Sequence, residues 1–354
     1  MHRFTLVCTV LVVLSGTLAC KKPLPDDPGS DDSCRPAEPG QALTDLYVSG
    51  FFTSSVQRFA GPGADSPGAP RPAPGQELAF YARPVSRRPW GLAFGPGGDF
   101  LYVANQQGSF GGAVARVHGP SSETPGAPAP GPGLPDSAFI ADTQGTALSL
   151  VFGADGLLYV GSAGPVRRFD ATTGALLGDF TSGRIPVEVG GLTFGPDGHL
   201  YVSSYNSCAP GPECRGEAGE VLRFDGQTGT FLDVFVANGT GGLSHPQGLA
   251  WLGGNLLVAD AGAGVLRFAG PARSSPGAPL PAEGREGALF AWREGLAALQ
   301  LAIGPDCNVY VSGSDSSGSG GGVVRFDGRS GADLGDFVSV EGGPRGLTFQ
   351  PHPE

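Results

Sequence analysis

Lysine is almost missing from this chain: the only two are Lys21 and Lys22. That excludes a P-loop lysine or a Schiff-base lysine anywhere beyond residue 22. Charge of any kind is scarce, at 16% of residues, and it leans acidic: 22 basic against 33 acidic side chains give a net −11. Such a surface is a poor match for a phosphate backbone, so nucleic acid is excluded as a partner. Apolar runs stay short of the ~20 residues that a membrane-spanning helix needs. Neither Gly-x-Ser-x-Gly nor His-Glu-x-x-His occurs. The histidines, at His2, His118, His199, His245 and His352, include no pair at ligand spacing, and no Asp/Gly-rich turn carries the alternating acids of a calcium loop. No cofactor and no metal is expected from these signatures.

What the chain does have is glycine (61) and proline (33), set against a hydrophobic content of 40%. That much apolar material can bury a core, and the turn formers divide it into many short strands.

The first twenty residues read as an export address. His2 and Arg3 precede an apolar run from Phe4 to Leu14, and small residues then lead to Thr17-Leu18-Ala19-Cys20. This end resembles the bacterial lipobox, in which the signal is cut before a cysteine that receives a diacylglyceride. The usual box has Leu three places before the cysteine; here Leu18 is two before it and Thr17 takes the third place. The resemblance implies a signal over 1–19, a lipidated Cys20, and a chain exported to the periplasmic or outer-surface side of a bacterial membrane. An ordinary cleaved signal with an incidental cysteine is the alternative. Residues 20–40, rich in Pro, Asp, Ser and Glu, cannot offset their ordering entropy and are expected to form a disordered tether spanning at most about 60 Å.

The body, 41–354, is one module written six times. Gly-Leu-x-Phe-type runs end at Phe94, Phe152, Phe194, Trp251, Ile303 and Phe349, and Leu-Tyr-Val-type runs centre on Tyr47, Tyr102, Tyr159, Tyr201, Leu257 and Tyr310. Val-x-Arg-Phe-type runs place Arg58, Arg116, Arg168, Arg223, Arg267 and Arg325. Tight turns such as Gly195-Pro196-Asp197-Gly198 and Asp225-Gly226-Gln227-Thr228-Gly229 separate them, and a fourth short run follows, as at Phe231 to Val236. Four antiparallel strands at a period of about fifty residues make one blade of a β-propeller. The body opens on the second strand type, at Tyr47, and closes on the first, at Phe349. The two ends together therefore supply one composite blade, with Arg345 to Phe349 pairing to Asp45 to Ser49. The expected fold is all-β, a single-domain six-bladed propeller whose ring is closed by strands from both termini.

The Gly-Leu-x-Phe-Gly-Pro-Asp-Gly-x-Leu-Tyr-Val core, clearest at Gly191 to Val202, resembles the NHL-type repeats of six-bladed, TolB-like propellers. The resemblance runs from about Thr44 to Pro351. The same superfamily includes gluconolactonase-like and streptogramin-lyase-like enzymes, but it is specific for architecture and weak for activity. Gluconolactonase-like relatives hold a divalent metal with Asp, Asn and Glu; here only Asp260 and Asn105 fall at suitable positions, and no first strand starts with Glu. The lyase chemistry needs a histidine with a glutamate, and His245 has none on the strand after it. Enzyme status is left open, leaning against.

Three modules carry long third-to-fourth-strand connections, each containing Ser/Thr-Pro-Gly-Ala-Pro: Ser66 to Pro70, Thr124 to Pro128 and Ser275 to Pro279. These are expected to be outer loops or a partner-binding edge. The six arginines are expected to be structural, forked onto carbonyls or carboxylates. The positions that differ from blade to blade are those lining the channel mouth. There Trp90, Asn105, His245, Gln247, Asp260 and Arg345 are the candidate ligand-binding residues; relaxed constraint at loop ends is the bland alternative. The function expected is a monomeric, lipid-anchored envelope module that binds a protein or glycan without catalysis. The alternatives are a metal-assisted lactone hydrolase or lyase, and a structural module using its Pro-rich loops.

Once Cys8 leaves with the signal and Cys20 is lipidated, Cys34, Cys208, Cys214 and Cys307 remain for an oxidising compartment. Cys208 and Cys214 bracket a short loop and are expected to pair. A Cys34–Cys307 bridge would pin the tether beside the ring closure; two free thiols are the alternative for that second pair.

Overall fold

The computed structural model describes residues 44–85, 88–106, 113–143, 145–205, 219–314 and 321–351. Its strands form six four-stranded antiparallel sheets in a ring. Blade 1 is composite: Pro344–Phe349 is its inner strand, followed outward by Leu46–Gly50, Ser55–Phe59 and Phe80–Ala82. The closing register pairs Leu46 with Phe349 and Val48 with Leu347, close to the pairing expected from the order of the motifs. Blades 2 to 6 begin on the inner strands Pro89–Phe94, Ser149–Phe152, Glu188–Phe194, Pro246–Leu252 and Ala297–Ile303.

Hydrophobic alternation seats each blade on the next, with a cluster of buried side chains at every joint. The centre of each joint is the Tyr of Leu-Tyr-Val. Tyr47, fully buried, stands edge-on to Tyr81 of its own outer strand and to Phe94 of blade 2, with centroids 4.9 and 5.0 Å apart. Tyr102, Tyr159, Tyr201 and Tyr310 repeat this with the outer aromatics Phe139, Phe180, Phe235 and Phe337 and the next blades' Phe152, Phe194, Trp251 and Phe349. Edge-to-face pairs of this kind add roughly 0.5–1.5 kcal/mol each beyond burial. Blade 5 departs from the pattern: Leu257 faces the equally aliphatic Ile303.

The six arginines are structural, as expected, but by stacking first. Each guanidinium lies over the outer aromatic of its own blade, 4.0 Å from the centroid for Arg116 on Phe139 and 5.8 Å for Arg325 on Phe337. The forks then complete the contact. Arg116 and Arg267 donate to carbonyls of the long loops, at Ala129, Pro130, Leu280 and Pro281. Arg58 pairs with Asp45, and Arg223 pairs with Asp233.

The Pro-rich loops have a structural task that their sequence hides. In all six blades a left-handed glycine after the third strand, with φ between 70° and 77°, lies against the carbonyl of the preceding blade's outer aromatic. Gly68, Gly126 and Gly277 of the Ser/Thr-Pro-Gly-Ala-Pro loops meet Phe337, Tyr81 and Phe235. Gly174, Gly229 and Gly331 of the short turns meet Phe139, Phe180 and Phe290 in the same way. A Cβ at any of them would collide with that carbonyl. Two unrelated loop sequences thus make one blade-to-blade contact.

The short turns are held by aspartate. Asp170, Asp225 and Asp327 each accept two backbone N–H groups and a Thr or Ser hydroxyl through Oδ1, which lowers their carboxyl pKa values.

Candidate functional site

The ring has two unlike faces. The lower face carries the turns between first and second strands, the third-to-fourth connections and both ends of the described chain, at Thr44 and Pro351. The upper face carries the second-to-third loops and the connectors between blades. Near this face the inner strands of all blades but the third carry a β-bulge, which re-aims the residue before the Gly-Leu pair. Serines on neighbouring second strands lock three of these bulges: Ser49 donates to the Trp90 carbonyl at 2.8 Å, Ser203 to that of Gln247 at 2.6 Å, and Ser312 to that of Arg345. Below them Gln300 passes over Gly248 and donates to the Gly190 carbonyl at 2.8 Å, narrowing the channel under the mouth.

Of the six residues expected at the mouth, Trp90 and Arg345 meet directly. The Arg345 guanidinium is 5.3 Å from the Trp90 ring and 4.9 Å from Phe51, which stands edge-on to Trp90 at 5.7 Å. Trp90 is half-buried, and its Nε1 is buried with no acceptor among the described residues. Burial lowers the Arg345 pKa, and its hydrogen bond goes to the Pro344 carbonyl at 2.9 Å.

Asp260 and His245 also come together, in a different role. Asp260 is 0% exposed. Its oxygens accept from the Ser244, His245, Gly262 and Ala263 N–H groups and the Ser244 hydroxyl at 2.7–3.0 Å. The carboxylate holds the connector in place and has little capacity left for a cation or ligand. His245 is exposed, with Nδ1 3.3 Å from Ser244 Oγ. Asn105 is fully buried at the end of its strand, opposite Pro89. Gln247 is buried too, with its side chain against the Tyr205 phenol.

Two groups of mouth residues escaped the sequence reading. Phe51 and Phe52 lie in a second-to-third loop, outside the strand alternation, yet form the wall beside Trp90; consecutive aromatics in a loop were the available signal. Glu188 corrects the expectation that no first strand starts with Glu: it opens the inner strand of blade 4, half-buried. Tyr205 donates to its Oε1 at 3.2 Å, and the Tyr205 pKa is raised by burial first and by this carboxylate next. The bulge between Val189 and Gly191 lengthens the strand backward and conceals Glu188 from motif counting. Among the described residues no three His, Cys, Asp or Glu side chains converge as a metal site would need.

Cys307 lies on the lower face, in a turn of blade 6 at φ 62°. Cys20, Cys34, Cys208 and Cys214 lie outside the described residues.

Fold and mouth define a six-bladed β-propeller closed by a composite blade. No protein-family model matches the chain, and no curated protein matches it by sequence. Solved structures do share its fold. TolB from Acinetobacter baumannii is similar over 87% of this chain and 67% of its own, with a TM-score of 0.54 at 11% identity. A gluconolactonase from Xanthomonas campestris is similar over 75% of this chain and 84% of its own, at 17% identity and a TM-score of 0.53. The PQQ-bound aldose sugar dehydrogenase of Streptomyces coelicolor is similar over 84% and 94%, at 17% identity and 0.50. At these identities the likeness is one of fold.

Proposed function

We propose that this protein is a lipid-anchored envelope propeller that binds a glycan or protein partner at its upper mouth without chemistry. The observation that carries the reading is the Phe51–Trp90–Arg345 group, an aromatic and cationic surface on the face opposite the one where the chain enters at Thr44. An anchor at Cys20 then leaves the mouth turned away from the membrane. Cys34 is the partner we assign to Cys307, which would fix the tether under the closing blade. Cys208 and Cys214 pair with each other in this reading. The Pro-rich loops are accounted for by their blade-to-blade contact and need no partner.

The test is retention of envelope extract on the immobilised mature chain. Material held by the native protein and lost from Trp90→Ala and Arg345→Ala supports the mouth. Material lost instead on shortening the Ser66 to Pro70 loop would move the activity to the lower face.

Glu188 favours one second reading, a metal-assisted lactone hydrolase or lyase, because it sets a carboxylate at the mouth beside Tyr205. Lactone hydrolysis that needs a divalent cation and is lost in Glu188→Gln would establish it.

A further inference from the structure

We infer that the mouth between blades 1 and 2 is a subsite for an acidic saccharide, its carboxylate received by Arg345 and Arg88 and its ring by Phe52. This rests on the mouth reading above and names the ligand.

The chain is acidic overall, at −11, yet two guanidinia flank Phe51 here, Arg345 at 4.9 Å and Arg88 at 5.5 Å. Neither has a carboxylate partner among the described residues. Elsewhere Arg58, Arg71, Arg167, Arg184, Arg223 and Arg293 pair with carboxylates, while Arg116 and Arg267 are taken up by loop carbonyls. Glu341, on the adjoining connector, meets Gln57 through its backbone and leaves both guanidinia unpaired. Arg88 is exposed, but Arg345 is partly buried, and such a cation without a counter-charge costs stability that an arriving anion removes. Arg88 stands at φ 56°, a left-handed conformation that a side chain of this size rarely adopts and that functional sites often hold.

The remaining surface suits a sugar. Phe52 is 57% exposed and edge-on to Phe51 at 5.0 Å, an apolar platform for the C–H face of a pyranose. The platform is preformed: Phe51 and Phe52 donate their N–H groups to Gly343 and Gly342 at 3.1 and 2.8 Å. A planar guanidinium fork matches a carboxylate in two parallel hydrogen bonds, which a neutral sugar cannot supply.

The experiment is calorimetric titration of the mature chain with decagalacturonate, with its full methyl ester, and with a short peptide bearing a free C-terminal carboxylate. The free acid is expected to bind, the ester at least about tenfold more weakly, and the acid to weaken as salt rises. Arg88→Gln, at an exposed position, is expected to lose about tenfold in affinity for the acid while melting as the native protein does. Equal binding of ester and acid, no response to Arg88→Gln, or preference for the peptide each overturns the assignment. If envelope material is still retained in a Trp90-dependent way while decagalacturonate fails to bind, only the ligand class falls. If retention ignores the mouth variants, the mouth reading falls as well.

Discussion

Tyr310 and Phe349 stand edge-on, their ring centroids 4.9 Å apart at 76°, and this contact joins the last strand of the chain to the blade before the first. It is the closing copy of a contact that the other aromatic joints make between consecutive blades. Here it also carries the cost of bringing the two ends of the chain together. Phe349→Ala is expected to destabilise by about 2–3 kcal/mol, since the ring is partly buried. Removing residues 341–354 takes away the inner strand and leaves two unpaired edges, so cooperative unfolding should be lost. A truncated protein with an unchanged melt would falsify ring closure.

Gly126 and Gly156 both sit at positive φ, 76° and 74°, but only Gly126 faces a carbonyl, that of Tyr81. Alanine at Gly156 should therefore cost about 1 kcal/mol for the backbone alone. Alanine at Gly126 should cost at least about 2 kcal/mol more, because blade 2 must move off blade 1. Equal melting temperatures for the two variants would mean the loops do not hold the blades.

Acid should loosen the short turns. The carboxyl pKa values of Asp170, Asp225 and Asp327 lie below their ordinary value of 3.8 in the folded chain, through N–H and hydroxyl donors. Their contribution is complete above about pH 4 and is lost as pH falls through the lowered folded values. Replacing all three by Asn should lower the melting temperature at pH 7 and flatten its fall between about pH 4 and 2. Parallel native and variant curves in that interval would remove the role of the charge.

Trp90→Ala tests two functions of one ring. The side chain is half-buried against Phe51, so the expected loss is about 2 kcal/mol, below the roughly 4 kcal/mol for a fully buried ring such as Phe290. Loss of retained envelope material should exceed what that destabilisation explains. A drop in melting temperature equal to that of Phe290→Ala would assign Trp90 to the core.

Non-reduced peptide mapping should recover a Cys34–Cys307 peptide pair. Recovery of Cys34 as a free thiol would refute the pinned tether.

The architecture was legible because it depends on repetition. The Tyr of Leu-Tyr-Val recurs with an aromatic one blade on, and where Leu257 interrupts the series its neighbour is the aliphatic Ile303. The closing pairing followed from strand order alone. The mouth was only half legible. Trp90 and Arg345 differ from their counterparts in the other blades and do meet, but the use of Asp260 in five hydrogen bonds depends on where the Ser244–Ala263 connector folds. Glu188 was hidden because a bulge shifts the strand start without changing the motif. The task of the Pro-rich loops was hidden because Gly126 and Gly229 reach equivalent carbonyls from unrelated sequences.

Leu46–Gly50 lies between Pro344–Phe349 and Ser55–Phe59, hydrogen-bonded on both sides, and its first residue is at the lower face. Tension on the segment before Thr44 runs along this strand. It therefore loads two ladders in shear, with all their hydrogen bonds strained at once, where a terminal outer strand would be peeled off one bond at a time. A pull on the residues before Thr44 is therefore shared by both ladders of the composite blade.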